Sequence, residues 1–121
     1  MKVCETSGRL RQRHDMSLSA RVRSVITRRL VEGDCTCKHV ASVLGLHPRT
    51  LQRRLREENK SFEAIKDSVR RDVALRYLQQ PNVSLVQVTE MLGYSETSVL
   101  TRSCLRWFAL SPRRLRHDLN R

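Results

Sequence analysis

The stretch that decides the fold is VASVLGLHPRTLQRRLREENKSF, residues 40–62. Its apolar residues recur at helical spacing on both sides of Gly45, and Pro48 stands where a second helix would begin. Glycine at a tight turn supplies a positive φ, and proline at the first helical position gives up no hydrogen bond that the helix needs. The stretch therefore predicts two short helices joined by a turn, with Leu51 and Leu55 on the inward face of the second.

The same pattern returns in VTEMLGYSETSVLTRSCLRWFALSPRRLR, residues 88–116. An offset of 48 residues places Thr36 on Ser84 as helix caps and Gly45 on Gly93 as turns. One extra residue in the second turn makes the offset 49, and the pairs then matched are Leu51 with Leu100 and Arg53 with Arg102. The chain therefore contains an internal duplication of one helix-turn-helix unit.

A longer helix is predicted between the two units, over residues 61–80. Its apolar positions keep to one helical stripe until Pro81 ends the pattern. The stripe consists of Phe62, Ile65, Val69, Val73 and Tyr77, with Ala74 and Leu78 beside it. At 1.5 Å per residue this connecting helix would be roughly 27 Å long.

The rest of the chain completes an all-α fold of about seven helices. Residues 19–30 predict a packing helix with Gly33 as its stop, and the Ser-Pro pair at 111–112 begins a last helix. We expect residues 19–60 to form the first helix-turn-helix unit and residues 81–121 the second. Residues 1–18 lack apolar periodicity and are expected to form a flexible basic arm or the remnant of a linker.

The charge balance points to nucleic acid as the partner. The chain carries 24 Lys and Arg against 12 Asp and Glu, a net charge of +12, and 20 of the basic residues are Arg. Arginine can form two hydrogen bonds at once with a phosphate or with the edge of a guanine. A base composition that favours Arg codons is the alternative explanation of the bias. A chain of 121 residues is also too short for the paired domains of an oxidoreductase.

The second helix of each unit carries a polar stripe opposite its leucines. In the first unit the stripe is Arg49, Gln52, Arg53 and Arg56, and in the second it is Thr97, Ser98, Thr101 and Arg102, with Arg106 one turn further on. Arg can bond to O6 and N7 of guanine, and Gln can bond to adenine. A solvated charged face is the alternative for either helix alone. The recurrence of packing helix, glycine turn and polar stripe in the same order favours base reading.

At these motifs the chain resembles the DNA-binding domain of the AraC/XylS family of bacterial transcription regulators. The resemblance covers about residues 19–117. It rests on LQRRL at 51–55, the LGYS turn at 92–95, the RW pair at 106–107 and SPRRLR at 111–116. It implies a seven-helix fold whose connecting helix holds two recognition helices on one side, so that they enter successive major-groove segments about one DNA turn apart.

The resemblance also implies a role for individual residues. The base-reading candidates are Arg49, Gln52 and Arg53 in the first unit and Thr97, Ser98, Thr101 and Arg102 in the second, and the phosphate-binding candidates are Arg56 and Arg106. Three positions, Thr89, Cys104 and His47, depart from the family pattern. We therefore expect the second unit to pack more loosely than the first.

The implied protein is a cytoplasmic, nucleoid-associated regulator of transcription. Its partner is double-stranded DNA, RNA polymerase is a further candidate partner, and no cofactor is implied. We class it with the activators, although the sequence leaves the sign of regulation, the operator and the effector open. We expect the chain to be the C-terminal domain of a longer effector-responsive regulator, because residues 1–18 look like an interdomain linker. The isolated chain is expected to be a monomer, and the full-length protein is a candidate dimer.

Features that suggest other chemistry are weak. Cys35, Cys37 and His39 have no fourth ligand at a known zinc spacing, so we predict no metal site. Cys104 falls on a core position and is expected to be a small buried hydrophobe, whereas Cys4 is expected to be an exposed thiol. The histidines have no serine or carboxylate partner at a catalytic spacing and no phosphate-binding loop occurs, so we predict that the protein is not an enzyme. No apolar run approaches the length of a membrane span.

Two other readings of the sequence remain. A non-specific architectural or RNA-binding protein would use the positive charge alone and would require the internal repeat to be accidental. Such a protein would bind random duplex nearly as well as any selected site. A helical module that binds a protein partner would show no affinity for DNA at moderate salt.

Overall fold

The computed structural model describes residues 17–32 and 35–121, and in this part of the chain seven α-helices follow one another without a strand. Their bounds are α1 Leu18–Arg29, extended by a 3-10 turn over Leu30–Glu32, α2 Cys37–Val43, α3 Pro48–Glu57, α4 Phe62–Leu78, α5 Leu85–Met91, α6 Thr97–Phe108 and α7 Pro112–Leu119. The predicted all-α fold is confirmed. Of the arm predicted over residues 1–18, the structure describes only Ser17 and Leu18, which are the cap and the first residue of α1 and so are not part of an arm. The rest of the predicted arm, and the stop at Gly33, lie outside the described residues.

A side chain caps the amino terminus of every described helix except α6. Five caps are serine or threonine hydroxyls that accept a backbone N–H of the first turn: Ser17, Thr36, Ser61, Ser84 and Ser111. In α3, Nδ1 of His47 accepts from the backbone N–H of Arg49 at 3.2 Å. Each cap satisfies a donor that has no partner within its helix, so the helix starts follow from local sequence.

The two glycine turns have the same geometry. Gly45 has a φ of 72° and Gly93 a φ of 77°, in the left-handed region that favours glycine. In each turn the residue after the glycine bonds back to the helix: Leu46 N–H donates to Ala41 O at 2.9 Å, and Tyr94 N–H donates to Thr89 O at 3.1 Å. These bonds close the carboxyl ends of α2 and α5. The turns correspond residue by residue at an offset of 48, so the structure confirms the duplication.

The connecting helix α4 is slightly shorter than the predicted 61–80. It spans Phe62–Leu78, with Ser61 as its cap. Its 17 residues make it about 26 Å long. At its carboxyl end, where carbonyls have no partner within the helix, Nε of Arg116 in α7 donates to the Leu78 carbonyl at 3.0 Å. The last helix therefore closes the end of the connector.

The buried face of α4 changes halfway along the helix. In the first half the buried residues are Phe62, Ile65 and Val69, and in the second half they are Ala74 and Leu78. At about 100° per residue, the second pair lies nearly opposite the first three. The predicted stripe ran on through Val73 and Tyr77, with Ala74 and Leu78 beside it. In the second half of α4 this prediction is wrong: Ala74 and Leu78 are the buried residues, and Val73 and Tyr77 are only half-buried.

Polar contacts show why α4 has two buried faces. On the face that packs against α1, the Arg23 guanidinium donates to Ser68 at 3.1 Å and pairs with Asp72. On the other face, Nε of Arg70 donates at 3.0 Å to the carbonyl of Leu92, which belongs to the second unit. One helix therefore carries a unit on each side and must present a separate apolar patch to each.

A single apolar core runs through both units. The helices of the first unit contribute Val22, Ile26, Val40, Ala41, Leu51 and Leu55, and those of the second contribute Val88, Leu92, Leu100, Cys104 and Leu115. Leu51 and Leu55 are fully buried, which confirms them as the inward residues of α3. Burying a side chain of this size stabilises the fold by roughly 1.5–3 kcal/mol. The opposite face of α3 is thereby directed to solvent.

Candidate nucleic-acid interface

The outer face of α3 is a row of exposed cations and one amide. Arg49, Gln52, Arg53 and Arg56 are all exposed and line one open recess. Within residues 17–32 and 35–121, no hydrogen bond or ion pair occupies the guanidinium of Arg49, Arg53 or Arg56. Nε2 of Gln52 makes only a weak 3.6 Å contact with Sγ of Cys37. The predicted stripe of the first unit is therefore free to bind a ligand that carries negative charge and hydrogen-bond acceptors.

The corresponding face of α6 is less polar. Thr97, Ser98 and Arg102 are exposed and Thr101 is half-buried. The Thr101 hydroxyl donates to the carbonyl of Thr97 at 3.2 Å, and the Ser98 hydroxyl donates to Oε1 of Glu96 at 3.3 Å. Arg102 has the one guanidinium among these four residues, and no other described residue bonds to it. The two predicted stripes thus differ in the number of groups they offer to a ligand.

Arg106 is bound within the protein. Its Nη1 and Nη2 donate to the two carboxylate oxygens of Asp67 in α4, at 3.0 and 2.8 Å. Nε1 of the neighbouring Trp107 donates to Asp67 Oδ2 at 2.9 Å, and the Arg106 guanidinium lies 5.4 Å from the centre of the Trp107 ring. The hydrogen bond from Arg106, together with that from Trp107, lowers the pKa of the Asp67 carboxyl. Arg106, a predicted phosphate contact, is therefore paired with Asp67 inside the protein, while Arg56 has no partner among the described residues.

Several residues that position the interface were not singled out from the sequence. Asp67 holds α6, Arg116 closes α4, and Glu58 accepts the backbone N–H groups of Leu18 and Ser19 at 3.1 and 3.3 Å. Hydrogen bonds from Ser19 and Leu18 lower the pKa of Glu58. The partners in these contacts are about 40 positions apart, so no local pattern marks them.

The cysteines and histidines of the described residues do not form a cluster that could bind a metal ion. These residues contain no group of three His, Cys, Asp or Glu side chains that could hold a metal ion. Nε2 of His39 lies 2.9 Å from Nη1 of Arg29. Cys104 is fully buried, as predicted, and burial raises the pKa of its thiol to about 11. Cys4 lies outside the described part of the chain.

Comparison with known proteins accounts for this arrangement of two units. The family model described as "Helix-turn-helix domain" matches residues 40–118, which include α3 and α6. The chain belongs to the AraC-type helix-turn-helix family. Members of this family are DNA-binding regulators of transcription, and the resemblance found in the sequence is confirmed.

Individual relatives agree with the AraC-type assignment. The HTH-type transcriptional regulator VirS of Mycobacterium tuberculosis is 46% identical over 102 residues, which are 84% of this chain and 30% of VirS. The porin thermoregulatory protein EnvY of Escherichia coli is 34% identical over 73 residues, which are 60% of this chain and 29% of EnvY. The chain thus spans about three tenths of the length of these relatives.

A solved structure shows the same fold. It is that of a DNA-binding transcriptional dual regulator from Escherichia coli K-12, which superposes with a TM-score of 0.82 at 23% identity over 87% of this chain and 94% of that one. At this identity the likeness supports the AraC-type fold alone. No helix in residues 17–32 and 35–121 is both long and apolar enough to cross a membrane.

Proposed function

We propose that this AraC-type domain binds double-stranded DNA sequence-specifically by placing α3 and α6 in successive segments of the major groove. One observation carries the proposal. The outer face of α3 holds the exposed guanidiniums of Arg49, Arg53 and Arg56, and no described residue neutralises them. An α-helix fits the major groove, and arginine at its surface can read guanine or bind phosphate.

The roles of the side chains follow from their position and chemistry. Arg49, Gln52 and Arg53 lie on the outer face of α3 and are the base readers of the first unit. Arg56, in the last turn of α3, is suited to a phosphate. In the second unit, Arg102 supplies a guanidinium to which no other described residue bonds, and the base-reading candidates beside it are Thr97, Ser98 and Thr101. Arg106 remains a candidate phosphate contact, but its charge is already balanced by Asp67.

The connecting helix supports a two-site arrangement. It is about 26 Å long, and it carries the first unit on one face and the second on the other. Successive major-groove segments on one side of the duplex are about 34 Å apart, which two helices flanking a connector of this length can span. A single helix-turn-helix would contact only one of these segments.

We further propose that the chain is the C-terminal DNA-binding part of a longer regulator. Its match with VirS covers 30% of that protein, so the related proteins have room for an effector-binding and dimerising part. In this scheme the isolated chain is a cytoplasmic monomer without enzyme activity, and activation through RNA polymerase would be a property of the whole protein. Light scattering of the isolated chain under reducing conditions tests the monomer.

Selection of bound sites from a random duplex pool tests the proposed function. The expected result is a selected site that the chain binds roughly a thousandfold or more tightly than scrambled duplex at physiological salt. A chain that binds scrambled duplex as well as any selected sequence would be an architectural protein, and the proposal would be wrong. A chain without affinity for DNA at moderate salt would instead support a module for a protein partner.

A further inference from the structure

The internal duplication allows the two units to be compared position by position. Three polar or charged side chains of the first unit have less polar counterparts in the second: Lys38 corresponds to Val86, Gln52 to Thr101 and Arg56 to Leu105. The side chains of Val86 and Leu105 are 56% and 50% exposed, so neither belongs to the buried core. At these three positions, α5 and α6 therefore present a less polar surface than α2 and α3.

Methyl-bearing side chains and one exposed arginine line an open recess beside α6. The recess has a volume of about 440 Å³ and is lined by Leu85 and Val86 of α5, Thr97 and Thr101 of α6, Pro112 and Arg113 of α7, and Ser111, the cap of α7. Thr97 and Thr101 are one helical turn apart, and Leu105 follows at the same spacing, so three methyl-bearing side chains lie along one side of α6. The recess is therefore continuous with the face that we propose to enter the major groove.

The hydrogen bonds within α6 reduce what this face can donate. The Thr101 hydroxyl uses its proton on the carbonyl of Thr97, and the Ser98 hydroxyl uses its proton on Glu96. What Thr101 still offers to a partner is chiefly its methyl group. Of the longer side chains in the stripe, only Arg102 can donate to a base edge in the way that Arg49, Gln52 and Arg53 can in the first unit.

We propose that the second unit reads thymine, through contact of the thymine C5-methyl group with Val86, Thr97 and Thr101. This inference rests on the proposed function. In the major groove the C5-methyl of thymine is the one apolar group that the four bases present, and threonine methyls and other apolar side chains are its usual partners. The methyl-bearing side of this recess, formed by Val86, Thr97 and Thr101, is therefore matched by thymine and by no other base.

An operator read in this way would have two half-sites of different base composition. The first half-site should contain guanines and adenines placed for Arg49, Arg53 and Gln52, because these side chains form paired hydrogen bonds with purines. The second should contain one or two thymines beside a position read by Arg102. Two units that descend from one duplication would thus read by different chemistry.

Deoxyuridine provides the test, since it lacks only the methyl group and keeps every hydrogen-bonding atom of thymine. In the selected operator, thymines of the second half-site are replaced by deoxyuridine one at a time, and Kd is measured for the intact chain. We expect Kd to rise roughly fourfold for each contacted methyl, the value of one buried carbon group. The same replacement in the first half-site should change Kd less than twofold.

Variants locate the contact on the protein. Thr101→Ser keeps the hydroxyl and removes the methyl, and we expect it to reduce the ratio of Kd values between deoxyuridine and thymidine sites towards one, as should Val86→Ala. Arg102→Ala is the control, because it should weaken both sites by the same factor and keep the ratio. Thermal unfolding of each variant confirms that it is folded.

The outcomes separate this inference from the proposed function. A chain that selects a specific site but binds its deoxyuridine form equally well would overturn the thymine reading alone. A second half-site without thymine would do the same, as would a Thr101→Ser variant that keeps the full ratio. Failure to select any site would contradict the proposed function itself.

Discussion

The carboxylate of Asp67 in the connecting helix accepts two hydrogen bonds from the guanidinium of Arg106 in α6, at 2.8 and 3.0 Å. Trp107 donates a third at 2.9 Å. The two paired residues are 39 positions apart, so the contact joins elements that the chain itself does not keep together. It fixes the carboxyl end of α6 on α4. It also means that the two units differ in the cations they can offer to DNA.

Asp67→Ala should destabilise the domain by about 1 kcal/mol. The pair is worth more than a single surface contact because three hydrogen bonds converge on one carboxylate, but solvent screens it, since the Arg106 side chain is 57% exposed. Urea unfolding followed by circular dichroism measures the difference. Asp118→Ala, which removes the pair of Asp118 with Arg114 within α7, is the matched control and should cost under about 0.5 kcal/mol. An equal loss of unfolding free energy in Asp67→Ala and Asp118→Ala would contradict the role assigned to Asp67.

Stability should fall as the pH is lowered into the acid range. Hydrogen bonds from Arg106 lower the pKa of the Asp67 carboxyl from its ordinary value, and hydrogen bonds from Ser19 do the same for the pKa of Glu58. A group whose pKa is lower in the folded state stabilises the protein above its unfolded pKa, and this contribution is lost as the pH falls through the folded pKa. Unfolding in urea between pH 7 and pH 3 measures the slope. In Asp67→Asn the free energy of unfolding should fall less steeply with decreasing pH below about pH 4. An unchanged dependence on pH would be evidence against the pairing of Asp67 with Arg106.

Two exchanges between glycine and alanine should have opposite effects on stability. Gly45 has a φ of 72° with no atom within 4 Å of an added Cβ, so Gly45→Ala should cost about 1 kcal/mol through backbone conformation alone. Ala109 at the end of α6 has a φ of 60°, and Ala109→Gly should stabilise the domain by roughly 0.5–1 kcal/mol. Thermal unfolding of both variants tests the pair. A destabilised Ala109→Gly would show that the alanine methyl has a packing role.

Arg53→Ala and Arg56→Ala should weaken DNA binding in different ways. Arg53 is proposed to read a base, so its loss should cost about 1–3 kcal/mol on the selected site and relax the preference at one position. Arg56 is proposed to bind a phosphate, so its loss should weaken all sequences alike and reduce the salt slope by about 0.9. Titrations on the selected site and on scrambled duplex at several salt concentrations measure both effects. Equal losses of Arg53→Ala on the two duplexes would mean that Arg53 touches phosphate.

The first unit should dominate sequence reading. On the face proposed to read bases it has an amide and two guanidiniums to which no other described residue bonds, whereas the second unit has Arg102 and short hydroxyl side chains. Arg102→Ala should therefore cost less specificity than Arg53→Ala when both are measured on the selected site and on scrambled duplex. A larger loss for Arg102→Ala would reverse the ranking of the two units.

Local sequence was sufficient to predict where the helices lie and which face of each short helix is buried. Caps such as Thr36 and Ser84 act within three residues, and the glycine turns depend on one backbone angle each. Leu51 and Leu55 define the inside of α3 by spacing alone. For α4 the same reasoning placed the second half of the buried stripe wrongly, because a helix between two cores follows the position of both units and not one continuous period.

The sequence by itself determined the seven helices and the exposure of the cationic stripe, since each of these depends on residues within about one helical turn of one another. It also determined the duplication, because two such local patterns can be compared at an offset of 48 or 49 residues without knowing the fold. Only the tertiary structure decided which arginines are free to bind DNA. Arg53 and Arg106 look alike in the sequence, but Arg106 is paired with a carboxylate from a helix 39 residues earlier, and Arg53 has no partner among the described residues. A charge is neutralised by whichever group the fold brings within a few ångströms of it, and sequence spacing does not report that distance.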